Sequence, residues 1–127
     1  MQLRVNMSIQ MPGDETSILP IHSDTWAGDS SYEVVIWIPL VDCFKTKSMF
    51  ILPQQKAGIL DQFFNDKKSK TTFDLMERIK DDIIYLDVPF GSILIFNQSL
   101  PHGNTLNLES ETRFSMNCRF KSIFSPY

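Results

Sequence analysis

The stretch Thr112 to Phe120, T-R-F-S-M-N-C-R-F, constrains the fold more than any other part of the chain. Its polar and apolar residues alternate with a period of two, the period of a β-strand, whose side chains point to opposite faces in turn. Arg113, Ser115, Asn117 and Arg119 therefore share one face, and Thr112, Phe114, Met116, Cys118 and Phe120 share the other. Such a strand can lie on a surface with its polar face in water. Turned inward, the same face carries two guanidinium groups into a barrel, which is unfavourable unless the barrel holds an anion. Arginine suits that task, because its planar fork grips a carboxylate through two parallel hydrogen bonds. The R-x-S spacing adds a hydroxyl beside the guanidinium of Arg113.

The remaining segments also read mostly as short strands. Leu3 to Gln10 alternates, with Leu3, Val5, Met7 and Ile9 on one face. Pro20 keeps Ile18 to His22 extended. Glu33 to Leu40, Ser48 to Leu52, Ile83 to Val88, Ser92 to Asn97 and a short piece near Gly103 to Leu108 follow, before a last strand over Thr112 to Ile123. Trp37 is expected in the core. Residues 54–80 differ: Ile59, Leu60, Phe63, Phe64, then Leu75, Met76 and Ile79 recur at helical spacing. Two short helices fit, joined by the charged run Asp66 to Lys70, which reads as a solvated loop. About eight strands with one helical insertion point to a mainly β chain, a double-stranded β-helix or jelly roll. Its 127 residues are expected to form one domain.

Bulk properties exclude several function classes. The net charge of −3 leaves no basic footprint for nucleic acid. No apolar run approaches the roughly 20 residues that span a bilayer, and the first residues lack a signal-peptide pattern. Cys43 and Cys118 are too few for a disulfide framework. A reducing cytoplasm is the expected setting, and it suits Fe(II).

The chain has 2 histidines, His22 and His102. His22-Ser23-Asp24 places an imidazole and a carboxylate at i and i+2, which point to one side of a strand. His102, between Pro101 and Gly103, can supply a third ligand from across the barrel, and Arg113 follows it closely. Two His and one carboxylate on one face of an octahedral ion, with the opposite face open, make the facial triad of non-haem Fe(II) oxygenases. Glu109 and Glu111 lie in a polar turn and read as solvated bystanders.

These residues sit in recognisable text. H-S-D, then W-I-P-L-V-D, M-F-I-L-P, G-S-I-L-I-F-N-Q-S-L-P-H-G-N and R-F-S together resemble the phytanoyl-CoA dioxygenase-like branch of the Fe(II)/2-oxoglutarate oxygenases. The longer stretches L-P-I-H-S-D-T-W-A-G-D-S, V-D-C-F-K-T-K-S-M and T-R-F-S-M-N-C-R-F-K-S are similar to StrG-type oxygenases of streptomycin biosynthesis and sporadic carbohydrate clusters. The resemblance implies Fe(II) at His22, Asp24 and His102. It implies 2-oxoglutarate as cosubstrate beside O₂, held at its far carboxylate by Arg113 with Ser115. Arg119 is the reserve anchor should the strand register differ. It also implies oxidation of a small, sugar-like substrate, with Asp24 favouring hydroxylation over halogenation. Two departures stand out: Gly91-Ser92 replaces a frequent G-D, and the chain lacks the long N-terminal helical region that covers the major sheet in relatives. A bare sheet face makes a homodimer a reasonable expectation.

Trp26, Asp29, Lys47, Asn97, Gln98, Asn104 and Asn117 are the candidate substrate contacts, a mixture suited to a hydroxylated ligand more than to an acyl chain. Two other classes fit the same strands: an inert jelly-roll sugar-binding module, and a cupin-like metalloenzyme that does not use 2-oxoglutarate. Neither needs a carboxylate anchor at Arg113.

Overall fold

The computed structural model describes residues 1–14, 18–66 and 71–126. Within them the chain is mainly β, with two antiparallel sheets and a helical insertion. The larger sheet has the order β1-β7-β2-β5, built from β1 (Gln2–Asn6), β7 (Arg113–Phe120), β2 (Val34–Pro39) and β5 (Leu94–Asn97). The smaller has the order β4-β3-β6, from β4 (Ile84–Tyr85), β3 (Phe50–Ile51) and β6 (His102–Gly103). Sequence-distant strands are neighbours throughout: β7 lies between β1 and β2, with Arg4 opposite Ser115 and Trp37 opposite Asn117.

The insertion folds as its periodicity indicates. Helices α1 (Gly58–Asn65) and α2 (Thr72–Ile79) press Leu60, Phe63, Leu75 and Ile79 against Ile21, Phe50 and Leu52. Thr71 and Asp74 form a reciprocal capping box at the start of α2. The charged run falls almost wholly on residues 67–70, outside the described part. A second core joins Trp37, Cys43, Met49 and Val88 between the sheets, as expected for Trp37.

Three expectations change. The first strand stops at Asn6, because the backbone turns at Ile9 (φ 49°), and Ile9 and Gln10 donate their N–H groups to Glu109 and Asn107. Its apolar face does not enter a core: Leu3, Met7 and Ile9 are exposed. Leu3 and Val5 instead join Val34, Ile95, Phe114 and Phe120 on an outward face of the larger sheet, with Ile36 and Cys118 in cross-strand register between them. Glu109 and Glu111 are not idle either. Glu109 accepts from Thr46 Oγ1 at 3.0 Å, and Glu111 pairs with the ammonium of Lys47.

Lys47 is itself a correction. Expected as a substrate contact, it is fully buried, with its charge on Glu111 and its ammonium 5.3 Å from the Phe44 ring centre. A buried ammonium without such a partner is strongly destabilising, so its place follows from the polar turn that supplies Glu111. Asn107, unremarked in the sequence, organises that turn: fully buried, it donates to the carbonyls of Asn6 and Glu111 and accepts from the Glu109 N–H.

Candidate functional site

His22 and His102, distant in sequence, form an isolated antiparallel bridge. Each donates its backbone N–H to the other's carbonyl, at 2.9 Å in both directions. Directly opposed residues of an antiparallel pair send their side chains to the same face, so the two imidazoles stand side by side with centroids 4.3 Å apart. Gly103 makes this approach sterically feasible: a Cβ there would meet the Leu19 carbonyl oxygen at 2.8 Å and the Ile21 nitrogen at 3.0 Å.

Both rings are oriented in the same way. His22 Nδ1 donates to the Pro20 carbonyl at 2.8 Å, and His102 Nδ1 donates to the Leu100 carbonyl at 2.8 Å. A carbonyl can only accept, so in the neutral ring this bond selects the tautomer with the proton on Nδ1 and the lone pair on Nε2. Burial pushes His102 down to about 4, which keeps its imidazole neutral and able to donate to a metal at neutral pH.

Asp24 departs from the expected strand. It opens a short 3₁₀ turn, Asp24–Ala27, ended by Gly28 at φ 96°. Its place is fixed by the loop before His102: Asp24 N–H donates to the Gln98 carbonyl at 3.1 Å, and Ser23 Oγ reaches the carbonyls of Gln98 and Ser99. The carboxylate still arrives beside the imidazoles, with Oδ1 3.6 Å from His22 Nε2. Donor atoms of His22, Asp24 and His102 all lie within 4.8 Å of one another. Two donors at right angles, each about 2.1 Å from one ion, stand about 3 Å apart; the trio, at up to 4.8 Å, is wider than that spacing. Two neutral nitrogens and one carboxylate are a donor set that a divalent transition metal accepts.

Beside the trio lies a narrow cavity lined by His102, Asn104, Arg113, Asn117, Trp37 and Phe96 among others. Arg113 and Ser115 are buried at the inward face of β7. Arg113 Nε and Nη1, Ser115 Oγ and Asn117 Oδ1 have no hydrogen-bond partner among the described residues. Burial lowers the Arg113 pKa from its ordinary value, though a guanidinium remains charged at neutral pH. A buried cation with two unmet donors signals a missing acceptor.

Arg119, the reserve anchor, is committed elsewhere: Nη2 lies 2.9 Å from Asp24 Oδ1, and Nη1 lies 2.8 Å from Asp29 Oδ2. Asp29 is thereby a partner of Arg119. Gln98 is fully buried and donates to the Ser30 carbonyl, which ties down the loop carrying Asp24 and Asp29. Asn104 accepts from the Leu19 N–H at 2.9 Å while lining the cavity. Trp26 and Asn97 lie on a separate, wider groove.

No family model matches the chain, and no curated protein does. Solved structures do. The non-haem monooxygenase ThoJ in complex with Ni superposes with a TM-score of 0.61 at 14% identity, over 94% of this chain and 42% of that one. EctD from S. alaskensis with bound Fe gives a TM-score of 0.62 at 13% identity, over 94% and 42%. EvdO2 from Micromonospora carbonacea var. aurantiaca, complexed with 2-oxoglutarate, gives 0.57 at 13% identity, over 98% and 53%. The chain spans about half, or less, of the length of these proteins. At such identities the likeness establishes a shared fold: this chain is built on the same mainly β scaffold as proteins that carry nickel, iron or 2-oxoglutarate.

Proposed function

We propose that this chain is the metal-binding β domain of an Fe(II)- and 2-oxoglutarate-dependent oxygenase that oxidises a small, carbohydrate-related molecule. The scaffold is then a double-stranded β-helix interrupted by the helices of residues 54–80. One observation carries the reading: His102 and Arg113 line the same cavity, and Arg113 keeps buried donors without an acceptor. A metal centre at one end and a fixed positive charge at the other suit a short dicarboxylate.

His22 and His102 would bind the metal through Nε2, and Asp24 through its carboxylate. Arg113, with Ser115 on the same inward face, would take the distal carboxylate of 2-oxoglutarate. Iron held by His22, Asp24 and His102 would supply the oxidising chemistry for a C–H bond, with O₂ as oxidant and 2-oxoglutarate converted to succinate and CO₂. The residues of the chain do the rest. The carbonyls of Pro20 and Leu100 hold the imidazole tautomers, Arg119 steadies Asp24, and Trp37 and Phe96 exclude water from the cavity walls. A reducing cytoplasm would keep the iron ferrous; within the described residues no helix is long and apolar enough to cross a membrane. The outward apolar face of the larger sheet supports the homodimer expected from the sequence, since contiguous apolar surface of this kind marks interaction sites.

Succinate release from 2-oxoglutarate, assayed with and without Fe(II), tests the proposal. A sugar-binding module produces none, and still binds sugar after His102→Ala. A cupin-like isomerase turns over without O₂. Either result overturns the oxygenase reading.

A further inference from the structure

We infer that the groove between α1 and the two loops carrying the metal-ligand candidates is a binding site for a hydroxylated ring that bears no negative charge. The inference takes from the proposed function the view that oxidation happens at the His22, Asp24, His102 trio; the groove itself is argued independently.

The groove has a volume of about 570 Å³, within the usual range for small-molecule sites. One wall is α1, through Leu60, Asp61 and Phe64. The rest of the lining includes Trp26, two residues after Asp24, together with Asn97 and the segment Ser99 to Pro101 that leads into His102. The site is thus bounded by the chain on either side of the trio.

Its chemistry follows from what lines it. Trp26 is 45% exposed and Phe64 58% exposed, yet the two rings meet edge to face at 5.3 Å. Neither ring serves a core, and together they present an apolar corner to the groove. Aromatic faces of this kind pack against the C–H face of a saturated ring. Ser31 and Gln54 offer a hydroxyl and an amide around that corner, suited to ring hydroxyls, while the Asn97 amide is held between the Ser31 carbonyl and the Ser99 N–H. Asp61 is the one charged residue in the lining among the described residues, and no Lys or Arg joins it. A phosphate or carboxylate would meet repulsion from Asp61 with no cation in the described lining to offset it; a hydroxyl or ammonium would meet an acceptor. The insertion helix therefore sets which ligands the groove accepts, a role distinct from that of Arg113, which faces the other cavity.

Protein-observed NMR titration of the whole chain, following the Trp26 indole signal, tests this with methyl α-glucoside, glucosamine and glucose 6-phosphate. The first two are expected to shift that signal saturably, with glucose 6-phosphate at least tenfold weaker. Ala57→Trp, which places an indole in the groove, and Phe64→Ala, which removes the apolar corner, should each weaken binding at least tenfold without altering metal affinity. Glucose 6-phosphate binding as tightly as methyl α-glucoside overturns the inference. So does the absence of binding by all three, or full binding by both variants. Titration with Mn(II) runs in parallel. Sugar binding without metal binding leaves the groove standing and removes the oxygenase proposal; metal binding without sugar binding does the reverse.

Discussion

Arg119 Nη2 lies 2.9 Å from Asp24 Oδ1, the same carboxylate oxygen that faces His22 Nε2 at 3.6 Å. The guanidinium also holds Asp29, so it ties the metal-ligand candidate to its own loop and to the far end of β7. Groups that orient a metal ligand typically contribute about 10- to 100-fold to metal affinity. Arg119→Leu should therefore weaken Mn(II) binding by about that factor while leaving 2-oxoglutarate binding dependent on Arg113. Unchanged metal affinity would show that the backbone bonds of Asp24 to the Gln98 loop suffice.

Divalent metal should stabilise the chain against heat, because an ion that binds only the folded state adds about 2.7 kcal/mol at a hundredfold excess over Kd. Asp24→Ala should erase both this stabilisation and metal-dependent succinate release. Thermal scans with and without Mn(II) read the first, and retained turnover would exclude Asp24 as a ligand.

Arg113→Met should act in opposite directions on stability and on cosubstrate. A buried polar group without its partner costs about 1–3 kcal/mol, so the ligand-free variant should melt higher than the parent. The rise in Tm that 2-oxoglutarate gives the metal-loaded parent should vanish. A variant that melts lower without ligand and still responds to 2-oxoglutarate would place the anchor elsewhere.

Cys43 and Cys118 should separate by reactivity. Burial pushes the Cys43 thiol up to about 11, and the residue is fully inaccessible, so it stays a protonated thiol at pH 8. A thiol reagent should modify Cys118 in the folded chain and both cysteines in denaturant, as peptide mass mapping would show. The linkage has a definite sign. The thiol pKa is raised in the folded state, so its contribution to stability is full below pH 9.0 and is lost as the pH rises toward about 11.

Gly103→Ala should be among the costlier single-atom changes. Its new Cβ would lie 2.8 Å from the Leu19 carbonyl and 2.9 Å from the Phe50 ring, and backbone cannot yield as a side chain does. A loss on the order of 1–3 kcal/mol is expected, with weakened metal binding because the His22–His102 bridge must open. Denaturant midpoints measure the first effect; unchanged stability would mean that β6 shifts freely.

Local pattern carried much of this. The alternation around Arg113 and Ser115 was legible because a strand's side-chain period is fixed by backbone geometry alone. The helices of the insertion were legible for the same reason at their own period. Asp24 was expected beside the imidazoles, but its route there was not legible: it sits in a 3₁₀ turn held by the Gln98 loop, a contact between segments far apart in sequence. The shared face of Leu3 and Val5 was legible too, but not its surroundings, because alternation specifies that a face exists and not what, if anything, covers it.

What the sequence determined by itself, then, is the kinds of candidate groups: two imidazoles, one carboxylate and an arginine on a strand, since residue chemistry and local periodicity do not depend on long-range contacts. The tertiary structure alone decided which arginine lies in the cavity and which braces Asp24, and that Lys47 sits in the interior against Glu111. Arg113 and Arg119 share a strand and a face. Only the neighbours that other segments bring to each end of β7 leave Nε and Nη1 of one guanidinium without a partner among the described residues and make the other a bridge between two carboxylates.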